Sequence, residues 1–536
     1  MKMSKWSCLL LVACTLVGCS KRESRVDAAA REGILLMGNG AEPEGLDPHR
    51  VSGLPAYYII TALIEGLVTE DPTATKLEPG MAEHWEVSPD GKTYTFHLRD
   101  TTWSNGDPVT AQDFAFSYQR VLTPALGCPN SYMLDIIANA HGFRTGAITD
   151  FSQVGVKAVD ARTLQLTLTG ASPYFLPMLT HYVWFPVNEK TVRKHGEPFG
   201  QDNTWAKAGN YVSNGPFLLK SWVLNSEIQV AANPSYYDAA KLKLKGIHFF
   251  PTKDDNLEEM GFRAGEYHLT NTVPFSKVPS YRENQPELIK ITDYLGVYYF
   301  MFNLTRPPLD DLRVREAMSL VIDRELLTRK MTRAGEQPAW NWVPPRIPDY
   351  PYSATFERDV ARAKQLIAEV VAEKYPDGQL PTLELLYNDS PLNLEIVGAI
   401  QQMWKTELGV QVELNKMEWK IYLKTRREKN YDLCRAGWIG DYADPLTFLD
   451  LFVSGSENNS TGWSNPEYDD LIARAVVVSD GKERTDLLQQ AEALLLKEFP
   501  VTPIYHYVSK HLVSPRLKGW VPNLLDHHNY KYLSIE

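Results

Sequence analysis

The residues best equipped for chemistry fall in one stretch, Tyr431 to Pro445. Tyr431, Leu433 and Cys434 mark its first half as a buried strand, with Arg435 inside the run. A guanidinium in an apolar strand is costly to bury unless it meets an anion. The strand is expected to stop at Gly437, with Trp438, Asp441 and Asp444 following in a loop closed by Pro445. A tryptophan and a carboxylate just past a strand end suit a ligand crevice. The same residues also fit a core tryptophan with two solvated turn aspartates. Asp441 with Asp444 is the carboxylate pair that would suit a hydrolase, but no separate nucleophile accompanies it.

The elements before this stretch alternate regularly. Leu383 to Tyr387 reads as a strand. Leu394, Val397, Ile400, Met403, Trp404 and Leu408 form a helical stripe that Gly409 ends. Val410 to Leu414 is a strand, Lys420 to Arg427 a short helix, and Tyr431 to Ala436 a strand again. Strand, helix, strand, helix, strand implies a parallel sheet. Ligands of such sheets bind outside the carboxyl ends of the strands. Those ends carry Asn388-Asp389, Glu418-Trp419, and Trp438 to Asp441, with Arg426 nearby. This convergence favours a ligand site over the core-and-turn reading.

Upstream, Thr93 to Arg99 alternates with Tyr94, Phe96 and Leu98 on one face, which predicts a half-buried strand. Asp90-Gly91 before it is a hairpin signal. Thr110 with Asp113 forms a capping-box pattern that opens a helix, and Thr163 to Leu168 is a second alternating strand. Phe217 to Trp222 and Glu227 to Ala231 predict a hairpin, and an aromatic strand spans Tyr294 to Asn303. Helices are expected from Asp310 or Asp311 and from Asp359. The tail is expected to pack back on an earlier domain.

At 536 residues the chain has length for roughly three or four packed units. A net charge of -11 argues against nucleic-acid binding. Lys2 and Lys5 precede an apolar run, Leu9 to Val17, that is too short to span a bilayer but right for a signal. Leu16-Val17-Gly18-Cys19 looks like a lipobox, so residues 1–18 are read as a lipoprotein signal, Cys19 as the lipidated residue and 19–32 as a flexible tether. The only cysteines beyond these are Cys128 and Cys434, expected to be two unrelated buried thiols. No HExxH helix or GxSxG elbow is present, and Glu86 stands where a phosphate loop ending at Gly91-Lys92-Thr93 needs glycine. His527-His528 is adjacent rather than i, i+4, as a surface pair would be. No catalytic residue, cofactor or metal is expected.

Taken together, several motifs resemble the bacterial extracellular solute-binding proteins of peptide ABC importers. They are Glu42 to His49, Asp90 to Arg99, Trp103 to Phe114, Asn214 to Phe217, Asp311 to Arg315 and Arg435 to Pro445. The resemblance implies an α/β, two-lobed, type II periplasmic-binding-protein-like fold with an extra small α+β domain. Residues 33–68, 191–293 and 509–536 would form the first domain, 69–190 the extra domain and 294–508 the second lobe. Asp441 would pair with a peptide's α-amino group, Trp419 and Trp438 would line side-chain pockets, and Arg426 and Arg435 would lie near the peptide carboxylate. Gly437, Ile439, Asn393 and Leu54 complete the implied ligand contacts. The peptide main chain would pair with protein backbone.

Four positions depart from the family pattern: Ser52 replaces a glutamate, Asn393 a histidine, Thr332 a lysine and Ile439 a disulfide cysteine. The implied protein is a monomeric, membrane-anchored lipoprotein of the periplasm or cell surface. It would bind short peptides and pass them to the membrane permease of an ABC importer. Haem, a metal chelate or a murein peptide are alternative cargoes for the same fold.

Overall fold

The structure, a computed structural model, describes residues 23–353, 355–478 and 481–536. The expected signal and Cys19 lie outside the described residues. The expected tether ends earlier than Glu32, because Arg25–Glu32 is a helix, α1. Ser24 Oγ accepts the Asp27 N–H, and Gly33 closes the helix in the left-handed conformation that glycine adopts without strain. The guanidinium of Arg25 lies over the Phe250 ring, 4.6 Å from its centroid. Composition made this segment look like a tether, but both of its caps stand in the sequence.

Strand β1 (Ile34–Gly38) and helix α2 (Leu54–Leu63) follow. The small domain then contributes β2 (Ala82–Val87), β3 (Thr93–Leu98), α3 (Ala111–Leu122), β4 (Val156–Ala158) and β5 (Thr163–Thr167). Its four strands form an antiparallel sheet in the order β2-β3-β5-β4. Tyr94, Phe96 and Leu98 are buried, as their alternation requires, and the capping box of Thr110 and Asp113 is formed. The chain returns through the hairpin β6 (Phe217–Val223) and β7 (Glu227–Ala232) and through β8 (Gly246–Phe250). These complete the first domain's sheet in the order β1-β8-β7-β6.

Strand β9 (Ile289–Phe302) leads into the second lobe, whose sheet also contains β10 (Gln337–Pro338), β11 (Leu383–Asn388), β12 (Val412–Met417), β13 (Leu433–Ile439) and β14 (Val501–Leu512). Helix α4 (Pro391–Met403) joins β11 to β12, and helix α5 (Trp419–Arg427) joins β12 to β13. The order is β10-β14-β9-β13-β11-β12. Strands β11, β12 and β13 are parallel as expected, while β9 and β14 add an antiparallel half.

Strands β9 and β14 pair on both sides of an irregularity between Asp293 and Val297. One end, Ile289 with Leu512, adjoins the first domain through the Leu269–Val513 bridge; the other lies within the second lobe. The tail packs back on the chain's earlier part, where His527 Nδ1 lies 2.8 Å from Glu70 Oε2 and Asn529 Nδ2 donates to Thr69 Oγ1 at 2.8 Å. Cys128 and Cys434 are separate buried thiols. No helix among the described residues is long and apolar enough to cross a membrane.

Candidate functional site

A cavity of 460 Å³ lies between the lobes. Its second-lobe wall consists of the three carboxyl edges expected from the parallel topology: Asn388 and Asp389 after β11, Glu418 and Trp419 after β12, and Trp438 to Asp441 at the end of β13. The first domain supplies Asn39 to Ala41, Ser52 to Pro55, Lys253 and Asp255, and the small domain supplies Asn130 and His181. Of the sequence-derived candidates, Asp441, Trp438, Trp419, Arg426, Gly437, Ile439 and Leu54 line this space; Arg435 and Asn393 do not.

Both exclusions have a physical cause. Strand β13 runs on to Ile439 instead of stopping at Gly437, because Trp438 and Ile439 pair with Val297 and Gly296 of β9. Successive side chains of a strand point to opposite faces. Arg435 therefore projects from the face opposite Trp438. It meets no carboxylate among the described residues. Its guanidinium covers the Tyr298 ring at 4.3 Å, donates to Tyr507 Oη at 2.9 Å and donates to Asn388 Oδ1 at 3.1 Å. An aromatic face and two neutral oxygens take the place of the expected anion, and the Nε–H is left without a partner among the described residues.

Asn393 is buried behind the same wall. It donates to Asn388 O and Oδ1 and accepts from the Tyr298 hydroxyl. Asn388, which does line the cavity, is thus held from behind by both residues. Gly437 is required sterically, because a Cβ there would stand 2.6 Å from Tyr507 Oη. Thr332 is buried away from the cavity, its hydroxyl spent on Thr328 O.

Asp441 dominates the electrostatics. Its side chain keeps only 20% of its surface, and burial pushes its pKa up to about 7, against the opposing pull of His527 and Thr447. His181 Nε2 lies 3.6 Å away, but burial drives that imidazole down to about 3, so the pair is not an ion pair at neutral pH. His527 is charged more readily than usual: its burial opposes protonation, and the Glu70 carboxylate outweighs it. No sequence spacing flagged His181, and His527, expected as half of a surface pair, is instead buried against Glu70; the two arrive from the small domain and the tail.

Asp444 belongs to a different structure. It takes both Nη atoms of Arg484 at 2.8 Å and accepts the Leu446 N–H, so it caps and clamps this turn instead of forming a carboxylate pair with Asp441. Arg426, which lines the same cavity, has no carboxylate within ion-pair distance among the described residues, and its Nε–H has no acceptor there. The indole N–H of Trp438 is likewise unpartnered. Strand β13 pairs with β11 only through Leu433 and Cys434, so beyond them the edge toward β11 carries no strand.

The arrangement is that of a solute trap: two lobes, a crossing strand pair and, between them, a largely apolar cavity with a few polar groups in its wall. Residues 76–460 match the family of bacterial extracellular solute-binding proteins, family 5, and the chain belongs to it. It is 35% identical over 504 residues to the periplasmic oligopeptide-binding protein OppA of Escherichia coli K12, covering 92% of this chain and 90% of that protein. OppA of Haemophilus influenzae in complex with RPPGFSPFR superposes with a TM-score of 0.88 at 33% identity, covering 94% and 99% of the two chains. The murein tripeptide binding protein MppA of E. coli gives 0.89 at 35% identity, covering 94% and 98%. Its form described as unliganded and open gives only 0.66, with 94% and 97% covered. The fold is therefore the type II periplasmic-binding-protein fold, with the lobes drawn together. Lys253–Glu418 at 3.4 Å and the stacked rings of Tyr174 and Tyr442 bridge them.

Proposed function

We propose that this protein is an exported, lipid-anchored receptor that captures short peptides between its lobes and delivers them to an ABC importer. The observation that carries the reading is Asp441, a carboxylate buried in the wall of the cavity with a neutral histidine beside it. Such a group calls for a cation, and a peptide's α-amino group supplies one. Arg426 in the same cavity is the complementary anchor for a carboxylate. The bare edge of β13 at Ala436 to Ile439 suits pairing with an extended peptide main chain, which would leave side chains to the space around Trp419 and Trp438. The peptide-binding relatives named above support the same cargo class.

The test is calorimetry with tri- to pentapeptides and their N-acetylated forms. Free-amino peptides should bind and N-acetylated ones should lose at least about tenfold; equal binding would sink the Asp441 role. Replacing Arg426 with glutamine should weaken peptides with a free carboxylate by about 1.5–3 kcal/mol and leave C-amidated peptides little changed. A uniform loss on both would assign Arg426 to packing. The likeness to a murein tripeptide binding protein keeps that cargo as the second reading, and mass spectrometry of the ligand that co-purifies separates the two.

A further inference from the structure

Three metal-ligating side chains meet on the outer face of the small domain's sheet and serve neither its core nor the cleft. His84 and Glu86 stand two apart on β2 and so share a face. His97 on β3 is the direct antiparallel partner of His84. The opposite face of β3 holds the buried Tyr94, Phe96 and Leu98. The two imidazoles lie nearly parallel, with centroids 4.4 Å apart and planes at 13°. His97 Nε2 stands 3.7 Å from Glu86 Oε1, beyond hydrogen-bond length. That nitrogen is shut off from solvent and has no hydrogen-bond partner among the described residues. One ligand atom from each of the three lies within 4.8 Å of the other two.

A polar nitrogen left without a partner is unfavourable, and a ligand that accepts its lone pair removes the penalty. Adjacent strands hold the two histidine backbones in register, so much of the positional entropy of a metal site is already settled. Around zinc, at bond lengths of about 2.0–2.1 Å, tetrahedral donors stand roughly 3.4 Å apart. The side chains must therefore close in slightly. Glu86, with 73% of its side chain exposed, can do so by rotamer change. The donor set selects the metal: two imidazoles and one carboxylate suit zinc, nickel and copper(II), whereas calcium and magnesium prefer all-oxygen sites. The other histidine cluster is already satisfied, since His511 and His528 bond Asp526 and His527 bonds Glu70.

We propose that His84, Glu86 and His97 form a surface site for a divalent transition-metal ion, with water in the remaining positions. The site is independent of the peptide cavity, which none of the three residues lines. The experiment is calorimetric titration of the chelator-stripped protein with zinc chloride, alongside cobalt(II) absorption spectra. One ion per chain is expected. His84→Ala and His97→Ala should each weaken binding at least about tenfold, since even outer-shell losses cost that much, and Glu86→Gln should also weaken it. Peptide affinity in all three variants should match the wild type, which controls for folding. No zinc uptake at submillimolar free metal overturns the proposal. So does uptake that persists in the His84→Ala, His97→Ala double variant, because the ion would then sit elsewhere.

Discussion

Replacing Asp441 with asparagine is expected to weaken free-amino peptides by about 2–5 kcal/mol, the range for removing one partner of a buried charge pair. N-acetylated peptides, which bring no cation, should be nearly indifferent to the change. Calorimetry on the two peptide forms against the two proteins gives a double-mutant cycle; a coupling near zero would refute the assignment.

The same carboxylate predicts a pH dependence. With the lobes together, burial raises the Asp441 pKa from its ordinary 3.8 to about 7. The sign follows from linkage. A carboxylate whose pKa is raised prefers its proton, so its burial is uncharged and unpenalised below about pH 4. The penalty grows between about 4 and 7 and is complete above 7. Bringing up an ammonium returns the carboxylate to its charged state, so peptide binding should weaken as pH falls below about 7, and Asp441→Asn should lack this slope.

Much of this site was legible because it is built from local periodicities. The strand and helix stripes between Leu383 and Ala436 fix the parallel order, and that order alone brings Asn388, Trp419 and Trp438 to one edge. What escaped depended on neighbours distant in sequence. Gly437 read as a strand end, yet it is glycine because Tyr507 packs where its side chain would be, and β9 carries the strand two residues further. Arg435 shares a face with Gly437 and Ile439 but lies further back along the strand, where Tyr298, Tyr507 and Asn388 hold its guanidinium away from the cavity. His181 and His527 reach Asp441 only through tertiary packing, which no local pattern encodes. The motif Glu42 to His49, one of those that carry the family resemblance, does structural work outside the cavity. Glu42 accepts from Trp222 Nε1 and the Asn225 N–H, and Asp47 is buried at the joint between domains.

That joint yields the largest stability effect expected in the molecule. Arg120 on α3 of the small domain is fully buried and clamps Asp47 of the first domain through two hydrogen bonds, Nη1 to Oδ1 at 2.9 Å and Nη2 to Oδ2 at 2.6 Å. Its Nε donates to Pro198 O, and Asp47 Oδ2 also accepts from Trp205 Nε1 at 3.0 Å. His49 is held neutral between Arg120 and Phe185 O, its pKa pushed down to about 4 by burial and then by Arg120. Burial alone would raise the Asp47 pKa; Arg120 reverses this and holds it at about 2. Arg120→Met keeps the volume but strands the carboxylate, and should cost about 3–5 kcal/mol in denaturant unfolding. The paired change Arg120→Met, Asp47→Asn should recover part of that loss, because no charge is then buried alone. A single variant as stable as the wild type would mean that water or another cation reaches Asp47. Since the folded pKa of Asp47 is depressed, its contribution is present above about pH 4 and is lost as pH falls toward 2. Acid titration of wild-type stability should therefore show a loss in that window that the double variant lacks.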